Sequence, residues 1–385
     1  MSFESFNKKK INHMVEKMFL GEGNNVARYD QQKHPFFDKI IDKQLSQFWR
    51  PEEIGLERDY RDWITLNSAE QHIFISNLKR QILLDSVQGR SPNVALLPIV
   101  TIPELETWIE NWAGNETIHS RSYTHIIRNL FNEPDKIFDS IMDNEQIIKS
   151  ATDITKYYDD LIEYNQYYHL LGYGTHEIKK DNGEKKKITL SRREHIKKIY
   201  LTIASINILE GIRFYVSFAC SWAFNERELM EGNSKIITLI CRDENVHLSS
   251  TQYILNNFAR EFEDEGGEEI VKECEQEMLQ MFDDAVKDEK KWAEYLFQED
   301  SMIGLNYNLL SGFVEYIANK RLVAIGFEER YETKENYLEW TNKYIGGTGS
   351  NTVQTAPQET EISSYLIGQV NSDVGEGDFD SFDLD

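Results

Sequence analysis

The chain has 385 residues, of which 42 are Lys or Arg and 66 are Asp or Glu, a formal net charge of −24. An acid surplus on that scale argues against nucleic acid as a partner, because phosphate binding needs a basic face. No run of 18 apolar residues is present to span a membrane, and the N-terminal MSFESFNKKKINHMVEKMFL lacks the apolar core of a secretory signal, so a cytoplasmic protein is expected.

Hydrophobic residues make up 40% of the chain and there are only seven prolines, which suits a large core built from long helices. Apolar residues recur at three- and four-residue steps over residues 34–48 and 68–87, predicting helices there. RSPNVALLPIVTIP follows, punctuated by Pro92, Pro98 and Pro103, and reads as a loop. Pro103, with Glu104 and Glu106 behind it, starts a helix expected to run to about Leu130. Its inward stripe is Leu105, Trp108, Trp112, Glu116, His119, Tyr123, Ile126 and Leu130, an apolar stripe interrupted by polar residues at its centre. Further helices are expected over 144–171, 193–225, 233–260, 268–296 and 301–325. Between residues 172 and 193, Asp181-Asn182-Gly183 flanked by β-leaning residues predicts a small hairpin whose lysines form a solvated face. Cys220, Cys241 and Cys274 are odd in number and lack C-x-x-C spacing, so neither a disulfide framework nor a redox pair is signalled.

After about residue 345 the composition shifts to GGTGSNTVQTAPQ, and the last thirteen residues carry six acids. A folded domain over 1–345 and a flexible acidic tail over 346–385 are therefore expected. Tyr365, Leu366 and Ile367 form one apolar cluster inside that tail, the pattern of a binding anchor.

The sequence Glu-x-x-His occurs at Glu116–His119 and again at Glu244–His247. A spacing of three places the carboxylate and the imidazole on one helix face, one turn apart. Two such pairs, plus one carboxylate from each of two further helices, form the ligand set of a dimetal-carboxylate site inside a four-helix bundle. The extra carboxylates are Asp85, in QILLDSVQGR, and Glu210, in INILEGIRFYVSF. Each is an acid in strongly apolar text, where an ionised carboxylate is costly unless paired or bound to a cation. Four carboxylates and two imidazoles suit iron or manganese, and their charge matches two cations bridged by oxide. One Glu-x-x-His alone is weak, whereas six such residues in this order are specific. Tyr123 lies seven residues past Glu116 and shares the ligand face. Beside an oxygen-activating metal pair, its phenol could lose an electron and a proton. Phe214 and Phe218, four and eight residues past Glu210, could supply the dry wall such a radical needs. The fold expected is all-α: a ferritin-like four-helix core with additional helices, one small β-hairpin and the flexible tail.

FWRPEE, LLDSVQGRSPNVALLPIVTIPELETW, ETIHSRSYTHIIRN, IRFYVSFACSWAFNERELMEGN, CRDENVHL and SSYLIGQV resemble the small, radical-generating subunit of class I ribonucleotide reductase, of the diiron-tyrosyl type. The resemblance covers about residues 25–370. It implies that Asp85, Glu116 and His119 hold one iron and Glu210, Glu244 and His247 the other, with Glu116 and Glu244 bridging. It implies that Tyr123 is oxidised by way of O2, and that Trp49 and Asp243 begin a radical path which Tyr365 continues toward a large subunit. A homodimer is implied as well. Asn115 stands where the family usually has serine, and Gly211 where alanine is common; neither departure removes a ligand. The chain has no phosphate-cradling glycine motif, so the nucleotide site is expected on another polypeptide. Two other classes carry similar sites: a diiron oxygenase or desaturase, and a ferritin-like metal store.

Overall fold

In the computed structural model, the structure describes residues 7–345 apart from 24, 180–184, 299 and 301. The chain begins with α1 (Pro35–Ser46), α2 (Glu57–Trp63), α3 (Ser68–Gln88), α4 (Ser91–Leu96), α5 (Pro103–Leu130), α6 (Pro134–Asp139) and α7 (Glu145–Leu171). A two-stranded antiparallel sheet of β1 (Gly174–Lys179) and β2 (Lys185–Leu190) follows, in register from Gly174 opposite Leu190 to Lys179 opposite Lys185. Then come α8 (Arg192–Ile208), a π-helical turn (Leu209–Arg213), α9 (Tyr215–Asn225), α10 (Glu231–Glu261), α11 (Gly267–Leu296), α12 (Tyr307–Ala324) and the short α13 (Asn342–Ile345). The fold is all-α and ferritin-like with one hairpin, as expected. The predicted turn Asp181-Asn182-Gly183 and the whole tail from residue 346, Tyr365 included, lie outside the described residues.

The bundle at the centre is α3, α5, the α8–α9 pair and α10, with α3 packed on α5 and α9, and α10 packed on α5, α8 and α9. Helix α7 covers α3 and α8, α11 covers α8 and α12, and α1 lies across α5 and α10. Local chemistry sets the helix starts. Asn67 accepts the Glu70 N–H at 2.9 Å while the Glu70 carboxylate accepts the Asn67 N–H at 3.2 Å, a reciprocal cap that opens α3. Asn144, Ser191 and Asn306 cap α7, α8 and α12 one way, each side chain accepting a backbone N–H of the first turn. The start of α10 is capped from a distance: Asp59 of α2 accepts the N–H groups of Gly232 and Asn233 at 2.9 and 2.6 Å. That approach requires glycine, since a Cβ at 232 would lie 2.6 Å from the Gly55 carbonyl oxygen.

Three expectations need correction. The stretch read as a loop after Gln88 contains α4, because Pro92 sits in its first turn, where a missing N–H costs nothing. The helix expected from 301 starts at Tyr307 behind the Asn306 cap. The helix expected over 193–225 is interrupted at Leu209–Arg213, where the hydrogen bonding widens to the π pattern. The 34-residue stretch Arg192–Asn225 has the length and hydropathy of a membrane span, yet 94% of its most apolar window is buried inside the protein, as in a core helix. The three cysteines are free and buried. Burial pushes the Cys220 and Cys241 thiols up to about 12 and Cys274 up to about 11, so none is a ready nucleophile.

The core also holds a buried ion pair that ties α3 to α11. Arg80 Nη1 donates to Glu289 Oε2 at 3.1 Å, both residues are fully buried, and the guanidinium lies 4.9 Å from the centroid of the Trp292 ring. Replacing Arg80 by methionine would strand the Glu289 carboxylate, with an expected loss of about 3–5 kcal/mol. A double variant with Glu289→Leu is expected to recover most of that loss. Urea unfolding of the metal-free protein checks both.

Candidate metal centre

Each member of the expected ligand set comes from a bundle element. Asp85 comes from α3, Glu116 and His119 from α5, Glu210 from the π turn, and Glu244 and His247 from α10. None is more than 1% exposed. The structure brings all six together in two overlapping groups: Asp85, Glu116, His119 and Glu244, and Glu116, Glu210, Glu244 and His247, with candidate donor atoms within 4.8 Å of one another in each. Glu116 and Glu244 belong to both groups. His119 Nδ1 lies 3.2 Å from Glu116 Oε2 and 3.2 Å from Glu244 Oε1, and His247 Nδ1 lies 3.1 Å from Glu116 Oε1. Both imidazoles therefore aim Nδ1 at the shared carboxylates.

The donors fit a pair of metal ions. Glu210 Oε2 and His247 Nε2 are buried without a well-formed hydrogen bond among the described residues, and the buried oxygens of Asp85 and Glu244 face Tyr123, His119 and His247. Buried acceptors in such number call for a cation. Burial, then the neighbouring Glu116 charge, raises the Asp85 pKa well above its ordinary value; burial, then Glu244, does the same for Glu210. Burial also acts on Glu116, but hydrogen bonds from His119 and His247 outweigh it and bring Glu116 down to about 2. In turn, and against burial, the surrounding carboxylates lift His119 well above its ordinary value and His247 to about 9. Ligands of this kind coordinate in their deprotonated form, so metal binding at the site is coupled to proton release.

The surroundings orient these groups. His119 Nε2 faces Asp243 Oδ2 at 3.4 Å, and the same oxygen accepts from Trp49 Nε1 at 2.7 Å and from Asn115 Nδ2 at 3.3 Å. The expected pair Trp49 and Asp243 is therefore in contact and joined through Asp243 to His119, and Asn115, noted as a departure, is a hydrogen-bond donor to the same carboxylate. Despite burial, Arg242 and His119 lower Asp243 to about 2. Tyr123 is fully buried and its hydroxyl faces the Asp85 carboxyl. Burial, then the Asp85 charge, holds its pKa well above the ordinary phenol value. Phe214 and Phe218 are fully buried and stacked on each other, with ring centroids 5.7 Å apart.

Several residues at the site carried no recognised signal. Trp112 Nε1 donates to Glu116 Oε1 at 3.1 Å, although Trp112 read as plain core. Gln88 Nε2 donates to Glu210 Oε1 at 2.6 Å. Arg321 of α12 donates through Nε to the Gly211 carbonyl at 3.2 Å and through Nη2 to the Tyr215 hydroxyl at 2.7 Å. The π turn disturbs the regular backbone ladder beside Glu210, and π turns recur at functional sites. The Arg321 stem lies against Gly211, where a Cβ would come 3.2 Å from Arg321 Cγ and 3.0 Å from Leu248 Cδ1. A side chain at 211 would need Leu248 and Arg321 to give by a few tenths of an ångström.

A helical bundle with two Glu-x-x-His helices and two further acidic elements around one buried cluster defines a dimetal-carboxylate protein. The family described as ribonucleotide reductase, small chain, matches residues 27–337, and the chain belongs to that family. It is 56% identical over 384 residues to the ribonucleoside-diphosphate reductase subunit beta of Buchnera aphidicola subsp. Baizongia pistaciae. It is 55% identical over 384 residues to the ribonucleoside-diphosphate reductase 1 subunit beta of Escherichia coli O157:H7; both alignments cover 100% of each chain. Among solved structures, the ribonucleotide reductase R2 subunit from Clostridium botulinum superposes with a TM-score of 0.74 at 27% identity, covering 90% of this chain and 98% of that one. The enzyme class is thus oxidoreductase, and membership of a small-chain family implies a large-subunit partner.

Proposed function

We propose that the chain holds two iron ions and uses O2 to generate a stable radical on Tyr123, which a large subunit spends on reducing ribonucleoside diphosphates to deoxyribonucleotides. The observation that carries this reading is the pair of donor groups sharing Glu116 and Glu244, with Tyr123 on the same helix as Glu116 and His119. Asp85, Glu116 and His119 would hold one ion and Glu210, Glu244 and His247 the other, with Glu116 and Glu244 facing both. When bound and exposed to O2, the metal pair supplies the oxidising power for removing one electron. Manganese accepts the same donors.

The chain's own residues do the rest. Tyr123 keeps its proton on the hydroxyl oxygen, so losing an electron requires losing that proton, and Asp85 is the charged neighbour that raises its pKa. Phe214 and Phe218 keep water from the phenol. Trp49 and Asp243 carry the oxidising equivalent outward, and the indole N–H has an acceptor oxygen at 2.7 Å. Residues 1–345 act as the radical-generating domain of a cytoplasmic homodimer. Residues 346–385 dock the large subunit, with Tyr365 as the relay.

An absorption and electron-spin-resonance spectrum of the iron-loaded, oxygen-exposed protein tests the reading. Two irons per chain and a tyrosyl signal are expected. A metal store would take up many irons per chain, and an oxygenase would give no persistent radical. For the tail, deleting residues 371–385 is expected to weaken association with the large subunit while leaving the Tyr123 signal intact. Tyr365→Phe is expected to spare both association and radical but stop turnover, since phenylalanine is much harder to oxidise. Normal turnover in that variant would reduce Tyr365 to a docking residue.

A further inference from the structure

We infer that Gln88 and Tyr158 are positioning residues for the metal centre, a two-bond strap that fixes the orientation of the Glu210 carboxylate. The Tyr158 hydroxyl of α7 donates to Gln88 Oε1 at 2.7 Å, and Gln88 Nε2 donates to Glu210 Oε1 at 2.6 Å. Tyr158 is 1% exposed, and Gln88 and Glu210 are fully buried. The other carboxylate oxygen, Glu210 Oε2, has no partner. The strapped Oε1 is also the oxygen 4.0 Å from His247 Nδ1, so the strap sets how the carboxylate is turned toward the other ligands.

The polarity of the strap follows from its chemistry. A carboxylate accepts only, so the amide must turn its NH2 toward Glu210, which leaves the amide oxygen facing away. Tyr158 then has to donate. Both links are neutral donors, so they orient Glu210 without adding a counter-charge that would compete with a metal.

Glu210 needs such a device more than the other ligands do. Glu116, His119, Glu244 and His247 project from regular helix, where rotamer and face are set by the backbone. Glu210 projects from the π turn, where that regularity is lost. The strap comes from outside this irregular segment: Gln88 is the last residue of α3, three positions past Asp85, and Tyr158 lies on α7. Asp85, by contrast, meets the Tyr123 hydroxyl of α5 rather than an amide strap.

The inference rests on the proposed two-metal reading of the six ligands, and the test separates the two. The metal-free full-length protein is titrated with manganese(II) alone, followed by equilibrium dialysis and manganese electron-spin resonance. Wild-type protein is expected to bind two ions per chain; failure there overturns the two-metal reading itself. Gln88→Leu is expected to weaken manganese binding about 10- to 100-fold, the usual cost of losing an orienting partner of a ligand. The line shape of the bound manganese should change with it, which a purely packing role would not produce. Tyr158→Phe removes one hydroxyl and is expected to weaken binding about 2- to 10-fold, one hydrogen bond's net worth. The double variant should be no worse than Gln88→Leu, because Tyr158 acts through Gln88. Tyr200→Phe, another buried tyrosine, should match wild type. If Gln88→Leu fails to fold, Tyr158→Phe still decides the matter. Wild-type affinity and line shape in a folded Gln88→Leu or Tyr158→Phe protein would overturn the inference, as would additive losses in the double variant.

Discussion

Replacing Glu244 by alanine is expected to abolish binding of both metals together, whereas Asp85→Ala or Glu210→Ala should each weaken chiefly one. Glu244 belongs to both donor groups, while Asp85 and Glu210 belong to one each. The effect should be plain in thermal unfolding. A ligand that binds only the folded state at 100 times its Kd stabilises that state by about 2.7 kcal/mol. Wild-type protein should show a metal-dependent rise in Tm of that origin, and Glu244→Ala should show almost none. The metal-free variant should be no less stable than metal-free wild type, because one member of a crowded carboxylate cluster has gone. Calorimetry with and without metal, paired with metal analysis, reads all three. Two tightly bound metals in Glu244→Ala would remove it from the centre.

The second large effect belongs to Tyr123. Tyr123→Phe is expected to bind iron as wild type does, show no tyrosyl signal and support no ribonucleotide reduction with the large subunit. Stability should barely move. The buried Tyr123 hydroxyl faces the Asp85 carboxyl, so its removal costs at most one hydrogen bond's net worth, about 1 kcal/mol. A large loss of activity beside so small a change in stability is the mark of a residue kept for chemistry. Denaturant unfolding and electron-spin resonance on one preparation check both halves; full reductase activity in the variant would show that another residue stores the radical.

Arg80→Met marks the contrasting case, where a buried charge serves the fold. Its partner Glu289 sits on α11, away from the six ligands, and the expected outcome is a loss of stability with the metal site intact.

Most of the centre was legible in the sequence because its strongest constraints are local. A Glu and a His three residues apart share a helix face wherever the helix goes, so Glu116–His119 and Glu244–His247 were each paired before any packing was known. Asp85 and Glu210 stood out because an acid in apolar helical text has few affordable environments. What sequence alone did not reveal depends on how separate elements meet. The indole of Trp49 reaches Asp243 across 194 residues of chain, a pairing that the family resemblance implies and no local pattern shows, and Gln88 reaches Glu210 across 122. Such contacts are set by the register and approach of packed helices, which periodicity along one helix does not encode. The π turn at Leu209–Arg213 is the sharpest example. Its residues are as apolar and helix-compatible as their neighbours, so the pattern read as one continuous helix. Only packing against α10, α11 and α12, with Arg321 at the Gly211 carbonyl, shows where the regular backbone gives way and places Glu210 among the other ligands.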